Sequence, residues 1–300
     1  MNETLSAAQA SERIREAFRR FREQAPQAAN LFDAFEALFI ERASLKAELP
    51  LEESDDFAID PVPFSQGVPI FGRDDFKLSP NWLRKSAERL IPAMEKGFPG
   101  IRDQLKVIRE AIRDSESNAE SFFGALQLRT EEEIENEAAK LKIEPATLDF
   151  VLFQLVKPFA EKRAESLPPL PEDVKWLKGY CPVCGSWPEL GFIEGKEGQR
   201  RLRCSFCGYV WSFTRIQCPF CETTDQDKLE LHFAQDRAFE RVELCHECKK
   251  YLVSIDLRER VDEVVLEVAP LALVHLDILA QEKGFSPAAM LGWNVIDRSR

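Results

Sequence analysis

Cys181-Pro-Val-Cys184, Cys204-Ser-Phe-Cys207, Cys218-Pro-Phe-Cys221 and Cys245-His-Glu-Cys248 contain every cysteine of this 300-residue chain. A C-x-x-C turn sets two sulfurs on one side of a tight loop, and two such turns complete a tetrahedron around one ion. Gly185 and Gly208, each just after the second cysteine of a pair, suit the backbone angles and close approach of such a turn.

Spacing suggests how the pairs combine. Between Cys184 and Cys204 lie 19 residues that read as a β-hairpin: Leu190-Gly-Phe-Ile-Glu, a turn at Gly195 to Gly198, then Arg201-Leu-Arg. Between Cys221 and Cys245 lie 23 residues, with Leu229-Glu-Leu-His-Phe, a turn around Gln235-Asp-Arg, and Glu240-Arg-Val-Glu-Leu. Each hairpin is bracketed by two turns, so the economical reading is two tandem ribbons. Cys181, Cys184, Cys204 and Cys207 would hold one metal, and Cys218, Cys221, Cys245 and Cys248 the other. A cross-braced pairing, first turn with third and second with fourth, is the alternative that spacing leaves open.

Four thiolates suit zinc and, equally, a mononuclear rubredoxin-like iron centre, because both accept soft ligands in a tetrahedron. Zinc would be structural and redox-silent; iron would cycle one electron. A thioredoxin-type dithiol is the competing enzymatic reading, but it lacks a βαβ context, and four repeated pairs would be surplus to it. The spacings also differ from those of a ferredoxin cluster.

Around the cysteines, His246 sits inside the last turn and reads as an outward-facing loop residue, since four cysteines already complete that site; His232 and His275 read as structural. Tyr180, Trp187, Tyr209, Trp211 and Phe213 flank the first site and are expected to cover its metal and hairpin. Arg200, Arg201 and Arg203 offer a contact for RNA or DNA, against which stands the near-neutral charge of the region. No Ser/His/Asp set, paired carboxylates or Gly-rich phosphate loop stands out, so an enzyme is not expected.

Towards the N-terminus, Ile14, Phe18 and Phe21, then Leu31, Phe32, Phe35, Leu38 and Phe39, recur at helical spacing, with Pro26 between the two runs. Residues 47–81 break that rhythm with Pro50, Pro61, Pro63, Pro69 and Pro80, and an extended segment lying along the helices is expected, as a crossover or a partner-docking arm. Helical pattern resumes at Asn81 to Lys96, Ile101 to Arg113, Ser121 to Leu126, Glu131 to Lys142 and Pro145 to Ala164. Leu167-Pro-Pro-Leu-Pro171 cannot continue a helix and marks a boundary. After Lys250, Tyr251 to Asp256 reads as a closing strand and Val264 to Lys283 as a helix ended by Gly284.

The expected architecture is therefore α+β and multidomain: an all-α bundle over 1–170, a first zinc-ribbon or rubredoxin-like module over 171–215, a second over 216–260, and a C-terminal helix and tail over 261–300.

Residues 1–173 carry 23 basic and 33 acidic side chains, a net of −10, whereas 174–260 carry 14 and 13. The whole chain, at −12, is repelled on average by phosphate backbones, so no nucleic-acid partner is expected. Met1 to Phe21 has no apolar core of a secretory signal, and the apolar run Val264 to Ala280 is interrupted by Glu267, His275 and Asp277. A cytoplasmic protein without a membrane span is expected, in which paired cysteines serve metals before disulfides. A homo-oligomer stays open.

Tyr180-Cys-Pro-Val-Cys-Gly-Ser186, Leu202-Arg-Cys-Ser-Phe-Cys207, Ile216-Gln-Cys-Pro-Phe-Cys221 and Glu243-Leu-Cys-His-Glu-Cys248, with Tyr251-Leu252, Leu276-Asp277, Glu282 and Gly284-Phe285, resemble the formate dehydrogenase accessory protein family FdhE. The resemblance covers roughly residues 176–287 and departs at Val253, where family members often carry Lys. It implies a cytoplasmic, non-enzymatic factor in the assembly of respiratory formate dehydrogenase. Such a factor would bind the catalytic subunit around its export and hold two mononuclear ions, iron before zinc, on the eight cysteines. The alternatives from other classes are a zinc-ribbon nucleic-acid-binding protein and a rubredoxin-like electron carrier.

Overall fold

The computed structural model describes residues 5–50, 59–76, 78–113, 130–168, 170, 175–234, 237–258, 260 and 262–294. In chain order the helices are α1 (Ala7–Gln24), α2 (Ala29–Glu48), α3 (Pro61–Ser65), α4 (Pro80–Gly97), α5 (Arg102–Arg113), α6 (Glu131–Leu141), α7 (Pro145–Glu165), α8 (Ala269–Ala272) and α9 (Val274–Glu282). The strands are β1 (Pro188–Glu194), β2 (Gln199–Cys204), β3 (Val210–Ser212), β4 (Leu229–Ala234), β5 (Arg237–Cys245), β6 (Lys250–Asp256) and β7 (Ser286–Pro287). They form two compact units, one of Met1–Glu52 with Phe71–Arg163 and one of Glu53–Ile70 with Ala164–Arg300.

The first unit is helical, as the apolar periodicity requires. Ser6 opens α1 by accepting from the Gln9 amide, while the Gln9 side chain returns a bond to the Ser6 amide; Thr130 and Glu133 repeat that device at α6. The stripe of α1 meets α2 through Phe18, whose ring lies 6.5 Å from Phe32 and 5.8 Å from Phe39. Fully buried rings such as Phe18 and Phe32 each stabilise the bundle by about 2–3 kcal/mol. A Cβ on Gly97 would lie 1.8 Å from the Ala34 carbonyl oxygen, so only glycine allows α4 to end against α2. Inside the bundle, Arg42 donates to Gln154 at 3.1 Å and lies 3.6 Å from Glu161, which also sits 3.5 Å from Lys46. The helix expected over Ser121 to Leu126 falls outside the described residues.

The second unit is built on one sheet of order β3-β2-β1-β6-β5-β4, with β7 beside β6. Both expected hairpins are present, β1 with β2 and β4 with β5, and both pair antiparallel. The two ribbons are joined side by side, because β1 pairs parallel with β6 through Gly191 and Ser254, Phe192 and Ile255, and Ile193 and Asp256. Alternate residues of the strands face one core: Leu190, Phe192, Val242, Leu244, Tyr251, Val253 and Ile255 pack against Ala269, Leu273, Leu276 and Ala280. Val253, where the family resemblance departs, is 4% exposed within this core, a place suited to an apolar side chain.

Two expectations need correction. The single helix over Val264 to Lys283 is two short ones, because Pro270 opens α8 and the Leu273 backbone (φ −90°, ψ 12°) interrupts the run before α9; Gly284, at φ 88°, does follow its end. The proline-rich stretch is not one extended piece. Its residues 59–70 belong to the sheet unit, and α3 forms a turn there because Asp60 caps the Val62 amide at 3.0 Å. Aromatic and backbone partners of this segment, Trp176, Tyr180 and Pro182, belong to the same unit.

Candidate metal centres

The fold gathers the eight cysteines into two groups, Cys181, Cys184, Cys204 and Cys207 in one and Cys218, Cys221, Cys245 and Cys248 in the other, with all sulfurs of a group within 4.8 Å of one another. The grouping is tandem; no cross-braced set forms. Each group takes one turn from before its hairpin and one from the hairpin's end, so the strand register of β1 with β2 and of β4 with β5 brings the turns together.

The turns share one backbone design. The amides of Gly185, Glu222 and Lys249 donate to the carbonyls of Cys181, Cys218 and Cys245 at 2.9, 3.0 and 2.9 Å. The amides of Cys181, Cys204 and Cys218 donate to the carbonyls of Ser186, Tyr209 and Thr223, each at 2.9 Å. Such closure aims further amides at sulfur: Val183 and Phe220 donate to Cys181 and Cys218 at 3.4 Å, and Phe206 to Cys204 at 3.4 Å.

The sulfurs stand 3.6 Å apart for Cys181 and Cys207, 3.4 Å for Cys184 and Cys204, 3.7 Å for Cys218 and Cys248, and 3.6 Å for Cys221 and Cys245. A tetrahedron with metal–sulfur bonds of about 2.3 Å has edges of about 3.8 Å, so both groups have the size of a four-thiolate site. A disulfide needs about 2.05 Å, and all eight cysteines are free. Burial pushes the Cys181, Cys207 and Cys218 thiols up and Cys248 to about 11, because an anion loses its hydration there. A cation supplies the charge that lets four sulfurs ionise together. Each group can therefore hold one metal ion.

Burial differs between the groups. Cys181 and Cys204 are 0% exposed and Cys207 1%, with Cys184 half-buried; in the second group Cys218 and Cys245 are buried, Cys248 half-buried and Cys221 exposed. The first group is covered by the proline-rich segment. The Ile70 amide donates to the Pro182 carbonyl at 2.8 Å and the Tyr180 hydroxyl to the Gly67 carbonyl at 2.7 Å. Rings continue the cover from Phe64 to Trp176 (4.7 Å), Tyr180 (5.4 Å), Trp187 (5.9 Å) and Phe220 (5.6 Å), reaching the third turn. Of the aromatics that flank the first site in sequence, Tyr180 and Trp187 belong to this edge-to-face series.

The remaining residues singled out in the sequence fall into place around this frame. Arg200 and Arg203 are each 4% exposed and turned inward: Arg203 pairs with Glu189, and Arg200 pairs with Glu243 while donating to the carbonyls of Thr214 and Gln217 at 2.8 Å. Arg201 pairs with Glu194 at 2.8 Å. His246 turns to Glu230 at 2.7 Å, His232 approaches the same carboxylate at 2.7 Å, and His275 lies 3.2 Å from Glu240. A cavity of about 230 Å³ opens beside the second group, bordered by Cys218, Cys245, Ile216 and Leu252.

Gly179, which drew no notice as sequence, is where the groups meet. A Cβ there would lie 1.8 Å from the Pro219 carbonyl oxygen, so the lead into the first turn packs directly on the third. The only sequence signal for it was a glycine two residues before a cysteine.

Known proteins resemble this chain. Residues 180–215 match the family model described as "FdhE, central domain". A protein FdhE homolog of Aquifex aeolicus is 38% identical over 117 residues, which are 38% of this chain and 41% of that protein. Protein FdhE of Escherichia coli is 30% identical over 116 residues, 37% of this chain and 36% of that protein. The matched part is thus about two fifths of the relatives' length. The crystal structure of the FdhE protein from Pseudomonas aeruginosa superposes over 94% of both chains with a TM-score of 0.62 at 22% identity, a likeness of fold. Over its cysteine-bearing part, this chain is similar to proteins of the FdhE family.

Proposed function

We propose that the protein is a non-enzymatic accessory factor for the maturation of respiratory formate dehydrogenase, acting in the cytoplasm on the enzyme's catalytic subunit and carrying one iron ion in each four-cysteine group. The observation that carries this reading is the pair of complete, tetrahedron-sized cysteine groups in a chain whose residues 180–215 match the FdhE central domain. Among the described residues no helix is long and apolar enough to cross a membrane, which agrees with a factor that meets its client before export.

In this reading the chain's own residues do the holding. The four turns aim paired sulfurs inward, the amides of Val183, Phe206 and Phe220 steady the thiolates, and the ring series from Phe64 to Phe220 runs from the proline-rich segment to the third turn. Iron bound there would supply a one-electron couple; zinc in the same sulfurs would supply none.

Two measurements on protein purified without added metal test the reading. Pull-down with a formate dehydrogenase catalytic subunit should show association, and its absence under both reducing and oxidising conditions would count against a client role. A visible spectrum should show ferric thiolate colour that bleaches with dithionite, whereas a colourless zinc-loaded protein would remove iron.

A further inference from the structure

The two cysteine groups are alike in ligands and in backbone closure and unlike in burial. In the first, three of four cysteines are at most 1% exposed, and residues 59–70 lie over the Cys181–Cys184 turn through the Ile70 and Tyr180 bonds. In the second, Cys221 is at the surface, followed by Glu222, Thr224, Asp225, Gln226, Asp227 and Lys228, all exposed.

The backbone makes the same distinction independently. Each turn places the residue after its second cysteine in the left-handed region. In the first group those residues are Gly185 (φ 74°) and Gly208 (φ 66°), which enter it freely; in the second they are Glu222 (φ 62°) and Lys249 (φ 57°), whose Cβ atoms make it unfavourable. The second pair of turns is therefore held in a conformation its residues resist. That strain is relieved when a sulfur lets go and the turn relaxes.

We propose that the groups divide the work: the first keeps its ion as a structural closure, and the second is a thiol-exchange site opening at Cys221. This rests on the reading that both groups hold metal. In the exchange an incoming thiol would bind the ion through its sulfur as the Cys221 sulfur left with its bonding pair. The thiol's proton passes to Cys221, so charge balances and no electron changes hands. The ligand class is a soft thiol, on a partner or a small molecule, because its sulfur matches the donors the ion already has. Cys221 leads because approach is open on its side, whereas Cys181, Cys204 and Cys207 have no free side.

The test uses the full chain loaded with zinc and a colorimetric chelator in excess, with iodoacetamide labelling followed by peptide mass spectrometry. Two ions per chain should leave in two phases of one equivalent each, the faster at least tenfold quicker. Cys221 should be alkylated first and Cys181 and Cys207 last. Cys245→Ala should abolish the fast phase, and the double change Glu222→Gly with Lys249→Gly should slow it several-fold while the slow phase stays put, which keeps the proposal exposed if the first variant fails to fold. A common rate for both ions, a fast phase that survives Cys245→Ala, or first labelling at Cys181 would overturn the division of labour while leaving metal binding intact. A chain that binds no zinc would sink both.

Discussion

The amide of Ile70 donates to the carbonyl of Pro182 across 2.8 Å, fixing a proline-rich segment from the N-terminal part of the chain to the first metal-binding turn. The neighbouring bond from Tyr180 to the Gly67 carbonyl, at 2.7 Å, ties the same segment a second time. Tyr180→Phe deletes one tie and leaves a carbonyl without its partner, a cost of about 1 kcal/mol. Thermal melting of the sheet unit should fall by about 2–4 °C and proteolysis within residues 59–70 should quicken. An unchanged melt with unchanged cleavage would mean that the segment does not hold the site.

Gly179 offers a steric test. Alanine there would drive its Cβ to 1.8 Å from the Pro219 carbonyl oxygen, and backbone cannot swing aside as a side chain does. Gly179→Ala should destabilise by about 3 kcal/mol, read as a lower urea midpoint, with metal lost from the second group before the first. A variant as stable as the parent would show that the two turns do not meet there.

Much of this site was legible because cysteine spacing carries its own geometry. The pairs at 181/184, 204/207, 218/221 and 245/248 announce turns, and the alternation in Leu229 to Phe233 announces a strand whatever surrounds it. What stayed hidden was long-range. Nothing local tells β1 to pair with β6, since parallel pairing leaves no turn signature, and nothing in Pro63 to Pro69 points to Trp176 and Tyr180 as its partners. Arg200 reads as surface charge until the fold supplies Glu243 from β5, a neighbour the hairpin alone does not have, while Arg203 meets Glu189 across the hairpin itself. The broken C-terminal helix shows local chemistry outweighed by an apolar run: Pro270 was visible, but the greasy stretch around it suggested continuity.

Arg200 joins the segment between the ribbons to the sheet, donating to Thr214 and Gln217 and pairing with Glu243. Arg200→Met strands those carbonyls and leaves the carboxylate without its guanidinium, at a cost of about 3 kcal/mol. Arg200→Lys should recover little, because one ammonium cannot span the positions a planar fork reaches. Denaturation in urea should show both midpoints lowered with the slope kept; a lysine variant matching the parent would argue against the fork.

Asp277 gives the sheet core a pH dependence. Burial raises its carboxyl to about 7, although it accepts from Tyr251 at 2.7 Å, while in the unfolded chain it titrates near its ordinary value of 3.8. As pH climbs from about 4 to about 7 the unfolded chain gives up this proton first, so the stability the protonated group contributes is fully present below that window and lost across it, by at most about 4 kcal/mol. Asp277→Asn keeps an oxygen to accept from Tyr251 and carries no charge. Its stability relative to the parent should therefore rise between those pH values and level off above them. A difference that is flat with pH would place the carboxyl in an ordinary environment.

The most direct measurement is metal content per chain, by elemental analysis alongside native mass spectrometry, for the parent, Cys181→Ala and Cys245→Ala. The parent should carry two ions and each variant one, with the helical circular dichroism of the first unit unchanged. A parent chain without metal, or a single substitution that strips both ions, would contradict two independent four-cysteine sites.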